Sequence, residues 1–227
     1  VVTGSQQPVG QAIIQELAGV YSISFLSAAP CSAVLEQEQD HIYLNPEANL
    51  LFLPPAHGAA CIYACDADPA YDYEPLLGLL SRDSPNTKLI PYPFPIAAED
   101  ATLALIDDIL NAFGRLDIWV CSSGLLGPAS IEATKPSDLQ KCFEANSMAP
   151  FFALKYAPPA MAKLTKKQAY PNAAPKDQKY GSIIVVSSVA ATYGGCWGPC
   201  YTMSSHAALG VVRAGVAVLK GWLDCMF

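Results

Sequence analysis

Tyr201 and Ser188 are the two residues of this chain whose types and spacing could do chemistry together. They stand thirteen positions apart, and Ser188 closes the β-branched run Ile183-Ile-Val-Val-Ser-Ser188. Reducing a carbonyl needs a hydride donor and a proton for the oxygen. A tyrosine phenol can give that proton, and a serine hydroxyl can hydrogen-bond the same oxygen. A second group of interest is Thr3-Gly4-Ser5-Gln6-Gln7-Pro8-Val9-Gly10. A glycine-bearing turn between a strand and a helix offers backbone N–H groups and a helix N-terminus to a phosphate.

The elements that must position these residues are legible from hydrophobic period. Val1-Val2-Thr3-Gly4 reads as the end of a first strand, and Val9, Ile13, Ile14 and Leu17 fall at helical spacing. Tyr21 to Leu26 reads as a second short strand. Asp100 to Phe113 reads as a helix with Leu103, Ile106, Ile109, Leu110 and Phe113 on one stripe, stopped by Gly114. Asp117 to Cys121 is a buried strand, and a helix from about Ser137 to Tyr156 is expected to end at Pro158-Pro159. Ile183 to Ser187 is a further strand. Ser204 to Leu223 is a last helix with Leu209, Val212, Val216 and Leu219 on one face.

Strands alternating with helices predict one α/β domain over residues 1–227, a doubly wound parallel sheet of Rossmann-like type with helices on both faces. Ligands in such folds bind at the carboxyl ends of the strands. Residues 28–72, with Pro30, Pro46, Pro54, Pro55 and Pro69, break the alternation. They read as an insertion, a loop with a small extra strand pair.

The block Gly181 to Gly210 resembles the active-site stretch of the short-chain dehydrogenase/reductase family, in which a strand ends in Ser-Ser and a helix opens with Tyr-x-x-x-Lys. Asp117-Ile-Trp-Val-Cys121-Ser-Ser-Gly124 is similar to the family's Asp-x-x-Val-Asn-Asn-Ala-Gly, and Thr3 to Gly10 to its Thr-Gly-x-x-x-Gly-x-Gly. The resemblance implies NAD(P) as cofactor, held by Gly4, Ser5, Gly10 and Gly124. It implies Tyr201 as proton donor, Ser188 as the hydroxyl that orients the carbonyl oxygen, and Asn146 as the helix asparagine that kinks its helix and helps hold a relay water. A small-molecule carbonyl substrate and a homo-oligomer follow from it as well.

This chain departs from the pattern at several points. Ser205 stands where the family has its lysine, the group that lowers the tyrosine pKa and binds the nicotinamide ribose. A phenol without such a neighbour is a poor base at neutral pH. His206 is adjacent, but one step along a helix turns a side chain by ~100°. Pro8 replaces a glycine of the phosphate turn, and the adenine-contacting aspartate falls at Pro95. The expected second strand ends Phe25-Leu26-Ser27-Ala28-Ala29-Pro30, with no acid for a ribose. The resemblance covers about residues 1–27 and 73–221. The family's final strand and substrate lid have no counterpart before Phe227, so the strand at Ile183–Ser187 is expected to have an uncovered apolar edge. Two further readings stay open: a non-catalytic binding or scaffold protein, and a cofactor-free isomerase or cyclase using Tyr201 and Ser188.

Composition narrows the field. Of 227 residues 52% are hydrophobic and 15% charged, which speaks for a packed globular chain. The net charge of −7 argues against nucleic acid. Lys163, Lys166, Lys167, Lys176 and Lys179 cluster with Pro171 and Pro175, the composition of a solvated loop. No apolar run is long enough to span a bilayer. Eight cysteines in a chain this size are expected as reduced thiols in an intracellular, cytoplasmic protein. Cys61-x-x-x-Cys65 and Cys196-x-x-x-Cys200 have zinc-compatible spacing, but no His pair accompanies them, and no metal is expected. Cys196-Trp-Gly-Pro-Cys200 is one residue too long for a thioredoxin-type pair. Asp66-Ala-Asp68 with Asp72 and Glu74 lacks the glycine of a calcium loop and reads as a solvated acidic turn.

Overall fold

The computed structural model describes residues 1–3, 8–17, 59–67, 72–74, 77–78, 87–163, 181–194 and 197–219. Five parallel strands form one sheet: β1 (Val2–Thr3), β2 (Cys61–Asp66), β3 (Lys88–Pro93), β4 (Ile118–Cys121) and β5 (Ser182–Val185). Their spatial order is β3-β2-β1-β4-β5. The order reverses between β1 and β4, the switch point where doubly wound sheets open a crevice at their carboxyl ends.

Helices cover both faces. α1 (Pro8–Leu17) sets Ile14 against Val2, Ile62, Ala64, Leu89 and Val120. On the other face α2 (Glu99–Phe113) and α4 (Ala149–Met161) bury Leu105, Ile109, Ala153, Ala157 and Met161 against Tyr63, Cys65, Trp119 and Cys121. Trp119 is buried there, and its indole N–H has no hydrogen-bond partner among the described residues. The doubly wound α/β architecture predicted from the alternation is therefore the one observed.

Local signals explain most boundaries. Pro8 opens α1, where a missing N–H costs nothing. Glu99 and Asp100 place negative charge at the N-terminus of α2. Gly114 ends that helix in the left-handed region (φ 73°), its N–H donating to the Leu110 carbonyl at 2.9 Å.

Four expectations need correction. Cys61–Asp66, at the end of the expected insertion, is not part of an extra strand pair. It pairs with β1 and β3 and sits inside the main sheet, because five of its six residues are buried on both faces. The remainder of the 28–58 range, and the strand expected at Tyr21–Leu26, lie outside the described residues. The α2 stripe is rotated: Leu103 is exposed, while Thr102 and Leu105 are buried. Thr102 is tolerated inside because its hydroxyl donates to the Ala98 carbonyl at 3.0 Å.

Pro158 and Pro159 do not end their helix, which runs on to Met161. Proline's fixed φ suits a helix. The two missing N–H bonds are offset by burying Ala157, Ala160 and Met161. Finally, α5 (Gly198–Leu219) starts six residues earlier than expected and turns a different face inward. Cys200, Ser204, Ser205 and Ala208 are buried, while Val216 is 50% exposed. Small residues let α5 approach closely: a Cβ on Gly215 would lie 2.9 Å from Leu154 of α4.

Candidate functional site

Of the residues predicted from sequence, Gly124 and Ser188 stand just past the carboxyl ends of β4 and β5. Ser188 follows β5 and caps a single 3-10 turn (Val189–Ala191), its Oγ accepting from the Ala190 N–H at 3.2 Å. Its own O–H is left to donate. The 3-10 turn packs on α5, and Tyr201 sits half-buried in the first turn of α5. The serine thus stands past a strand end and the tyrosine at the start of a helix against which the serine's turn packs.

Asn146 lies in a π-helical turn, Glu144–Met148, between α3 (Pro136–Phe143) and α4. The kink implied by the family resemblance is this wide turn, in which the Ala149 N–H reaches back five residues to the Glu144 carbonyl. The buried carboxamide accepts from the Leu125 N–H at 2.7 Å and donates to the Leu125 carbonyl and to Ser204 Oγ, both at 2.8 Å. Ser147 Oγ adds a bond to the Ser204 carbonyl at 2.8 Å. The side chain pins the loop after β4 to α5.

Ser205 is only 4% exposed, so the position of the family's lysine is enclosed by protein and holds a hydroxyl. His206 does not replace the cation. It is exposed, and its Nδ1 lies 3.0 Å from the Thr202 carbonyl of its own helix.

The cofactor positions divide. Gly4 and Ser5 lie outside the described residues, and Gly10 falls in the first turn of α1. Gly124 is exposed in the loop after β4, and a Cβ there would stand 3.9 Å from Asn146 Oδ1. Beside it, Ser122 Oγ donates to the Thr3 carbonyl and ties β4 to β1. Ser123 Oγ is buried with no partner among the described residues. An unpaired hydroxyl at the switch point fits a polar ligand lying across it.

One residue escaped the sequence reading. Asp66 ends β2, next to β1 in the sheet, one position past the Thr3 partner Cys65. It is 1% exposed, and its carbonyl accepts from the Phe94 N–H at 2.7 Å. An acid at the end of the strand neighbouring β1 is where dinucleotide folds bind a ribose 2′-hydroxyl. The signal was the run Cys61-Ile-Tyr-Ala-Cys-Asp66, four buried residues and then a buried carboxylate. It was hidden because a different strand was expected in that place.

Cys61 and Cys65 face the core from β2. Burial pushes their thiols up to about 11 and about 12, which keeps them protonated and poor metal ligands.

The family model of the short chain dehydrogenases matches residues 79–220, more than half of the chain. The chain belongs to the short-chain dehydrogenase/reductase family. It is 32% identical to (+)-borneol dehydrogenase 2 of Salvia officinalis over 126 residues, 55% of this chain and 40% of that protein. It is 29% identical to xanthoxin dehydrogenase of Arabidopsis thaliana over 126 residues, 55% of this chain and 39% of that one. The matches thus span about two fifths of these curated relatives. Among solved structures, levodione reductase superposes with a TM-score of 0.67 at 14% identity, covering 97% of this chain and 65% of that one. A metagenomic short-chain oxidoreductase in complex with NADP gives 0.62 at 20% identity, covering 97% and 74%. These structural likenesses show a shared Rossmann-like fold. No helix among the described residues is long and apolar enough to cross a membrane.

Proposed function

We propose that this chain is an NAD-dependent oxidoreductase that reduces the carbonyl of a small molecule. The observation that supports the reading is that Ser188 follows β5 and caps a 3-10 turn that packs on α5, the helix that carries Tyr201 in its first turn. Bound nicotinamide supplies the hydride. Ser188 donates a hydrogen bond to the carbonyl oxygen and fixes its position. Tyr201 gives that oxygen a proton as negative charge develops on it. Asn146 keeps the loop after β4 fixed against α5, so the two hydroxyls hold their spacing.

Asp66 favours NAD over NADP, since a buried carboxylate accepts from a ribose hydroxyl and repels a 2′-phosphate. By the family's pattern Gly4, Ser5 and Gly10 would hold the pyrophosphate, and Gly124 would complete the cofactor site. The test is a titration with NADH and NADPH followed by nicotinamide fluorescence, using the wild type, Asp66→Ala and Ser205→Lys. Tighter binding of NADH, relaxed in Asp66→Ala, is expected. No binding of either nucleotide by any form up to millimolar concentration would overturn the reading.

A second reading is favoured by Ser205. With an enclosed hydroxyl in place of the lysine and His206 turned outward, neither residue brings a cation to the site, and hydride transfer would be impaired. The chain would then act as a binding partner. Met148, Phe151, Met203 and Val216 expose apolar surface on the π turn, α4 and α5. A second copy of the chain is the partner that surface suits, and sedimentation would report the dimer.

A further inference from the structure

Cys142 and Cys200 are both fully buried and belong to separate elements, the end of α3 and the first turn of α5. Both sulfurs pack around the same residue, Gly127. Gly127 leaves the room for this contact. A Cβ there would stand 2.9 Å from Cys142 Sγ and 3.3 Å from Cys200 Sγ, so both sulfurs rest against the same backbone carbon. The two elements are already held at fixed spacing close by, through Asn146 and Ser147 to Ser204.

We propose that Cys142 and Cys200 form a reversible disulfide that locks α3 to the start of α5, one residue from Tyr201. The oxidant is a small peroxide. The Cys200 sulfur attacks one peroxide oxygen, the O–O bond breaks, and water leaves, giving a sulfenic acid on Cys200. The Cys142 sulfur then attacks that sulfur, the S–S bond forms, the S–O bond breaks, and a second water leaves with the Cys142 proton. Two thiols are oxidised and one peroxide is reduced to two waters. Burial, and next the neighbouring Cys200, push the Cys142 thiol up to about 11. Cys142 therefore stays protonated at neutral pH. Thr134, whose hydroxyl lies 3.9 Å from Cys200 Sγ, stands on the third side of the pair. This inference does not depend on the proposed oxidoreductase activity.

The experiment oxidises the reduced, folded full chain with hydrogen peroxide, alkylates under denaturing conditions and maps peptides by mass. The expected product is a Cys142–Cys200 crosslinked peptide, roughly 2 Da lighter than its two reduced parts and cleaved by dithiothreitol. The oxidised wild type should also melt at a higher temperature than the reduced form, and Cys142→Ala should lose that increment. Cys142 fully alkylated after oxidation of folded protein would overturn the proposal, whether Cys200 is then free, over-oxidised or bonded to Cys196. The mapping uses the wild type alone, so a variant that fails to fold does not obscure the answer.

Discussion

Asn146 Nδ2 donates to Ser204 Oγ at 2.8 Å, joining the π turn to α5 across 58 residues of sequence. Ser204 passes the bond on to the Cys200 carbonyl at 2.8 Å. A loop, a π turn and a helix start are thus linked by one buried relay. Replacing Asn146 with Ala removes three hydrogen bonds and leaves the Leu125 amide and carbonyl unpaired. A loss of about 2–4 kcal/mol in unfolding free energy is expected. Urea denaturation of the two proteins reads it directly.

Gly198 sets the entrance to α5. Its φ is +85°, and a Cβ there would lie 2.5 Å from the Pro128 carbonyl oxygen and 2.6 Å from Ala129 Cα. Backbone cannot rotate aside as a side chain can. Gly198→Ala should therefore cost about 2–4 kcal/mol and shift the start of α5. Gly194→Ala, with open space around its Cβ, is the matched control and should change little.

Tyr201→Phe separates binding from chemistry. Removing the phenolic oxygen should lower turnover by about 10²–10⁴-fold while nucleotide affinity stays unchanged. Ser205→Lys should raise turnover in the wild-type background and do nothing in Tyr201→Phe. Steady-state rates and a parallel fluorescence titration give both quantities. Equal turnover with and without the phenol would remove Tyr201 from the mechanism.

Glu99 joins α2 to α4 by accepting from Lys155 Nζ at 2.8 Å and from the Tyr156 hydroxyl. The bond from Lys155, then that from Tyr156, hold the Glu99 carboxyl below its usual range, and the bond to Glu99 holds Lys155 above its own. A carboxylate depressed in the folded state stabilises above its unfolded pKa, and that stability is lost as pH falls through the folded value. A raised ammonium stabilises below its unfolded pKa and loses that stability as pH rises through the folded value. The pair should therefore help across the neutral range. The gap in melting temperature between wild type and Glu99→Gln should close as pH drops below ~4. Both groups are solvent-exposed, so the gap should be small and shrink in salt.

What was legible in the sequence had a strong local cause. β1, α2 and β4 follow from apolar period and from Gly114, and Ser188 and Tyr201 were found because a strand end and a helix start flank them. The order of the sheet was not readable beyond β1. Tyr21–Leu26 was as apolar as a second strand should be, and the prolines before Cys61 made the real neighbour of β1 look like part of a loop. Asp66 was lost with it, read as one acid of a solvated turn. The faces of the long helical stretch were also obscured. A π turn adds one residue to the helical count, so positions before Glu144 and after Met148 cannot lie on one 3.6-residue pattern. The prolines of α4 looked like a terminator because their cost is local and the burial that offsets it comes from distant residues.

Trp119 carries a consequence of a different kind. Its indole lies in the dry layer between the sheet and α2, beside the Cys121 thiol, while Trp197 stands in a partly open loop at the start of α5. Thiols quench indole emission, so the folded core should be optically dark and blue, and the loop bright and red. Loss of the core would brighten the first without altering the second, and a disturbance confined to the loop would do the reverse. Among the described residues the two tryptophans are thus native gauges of distinct colour, one for the scaffold and one for the mouth of the site.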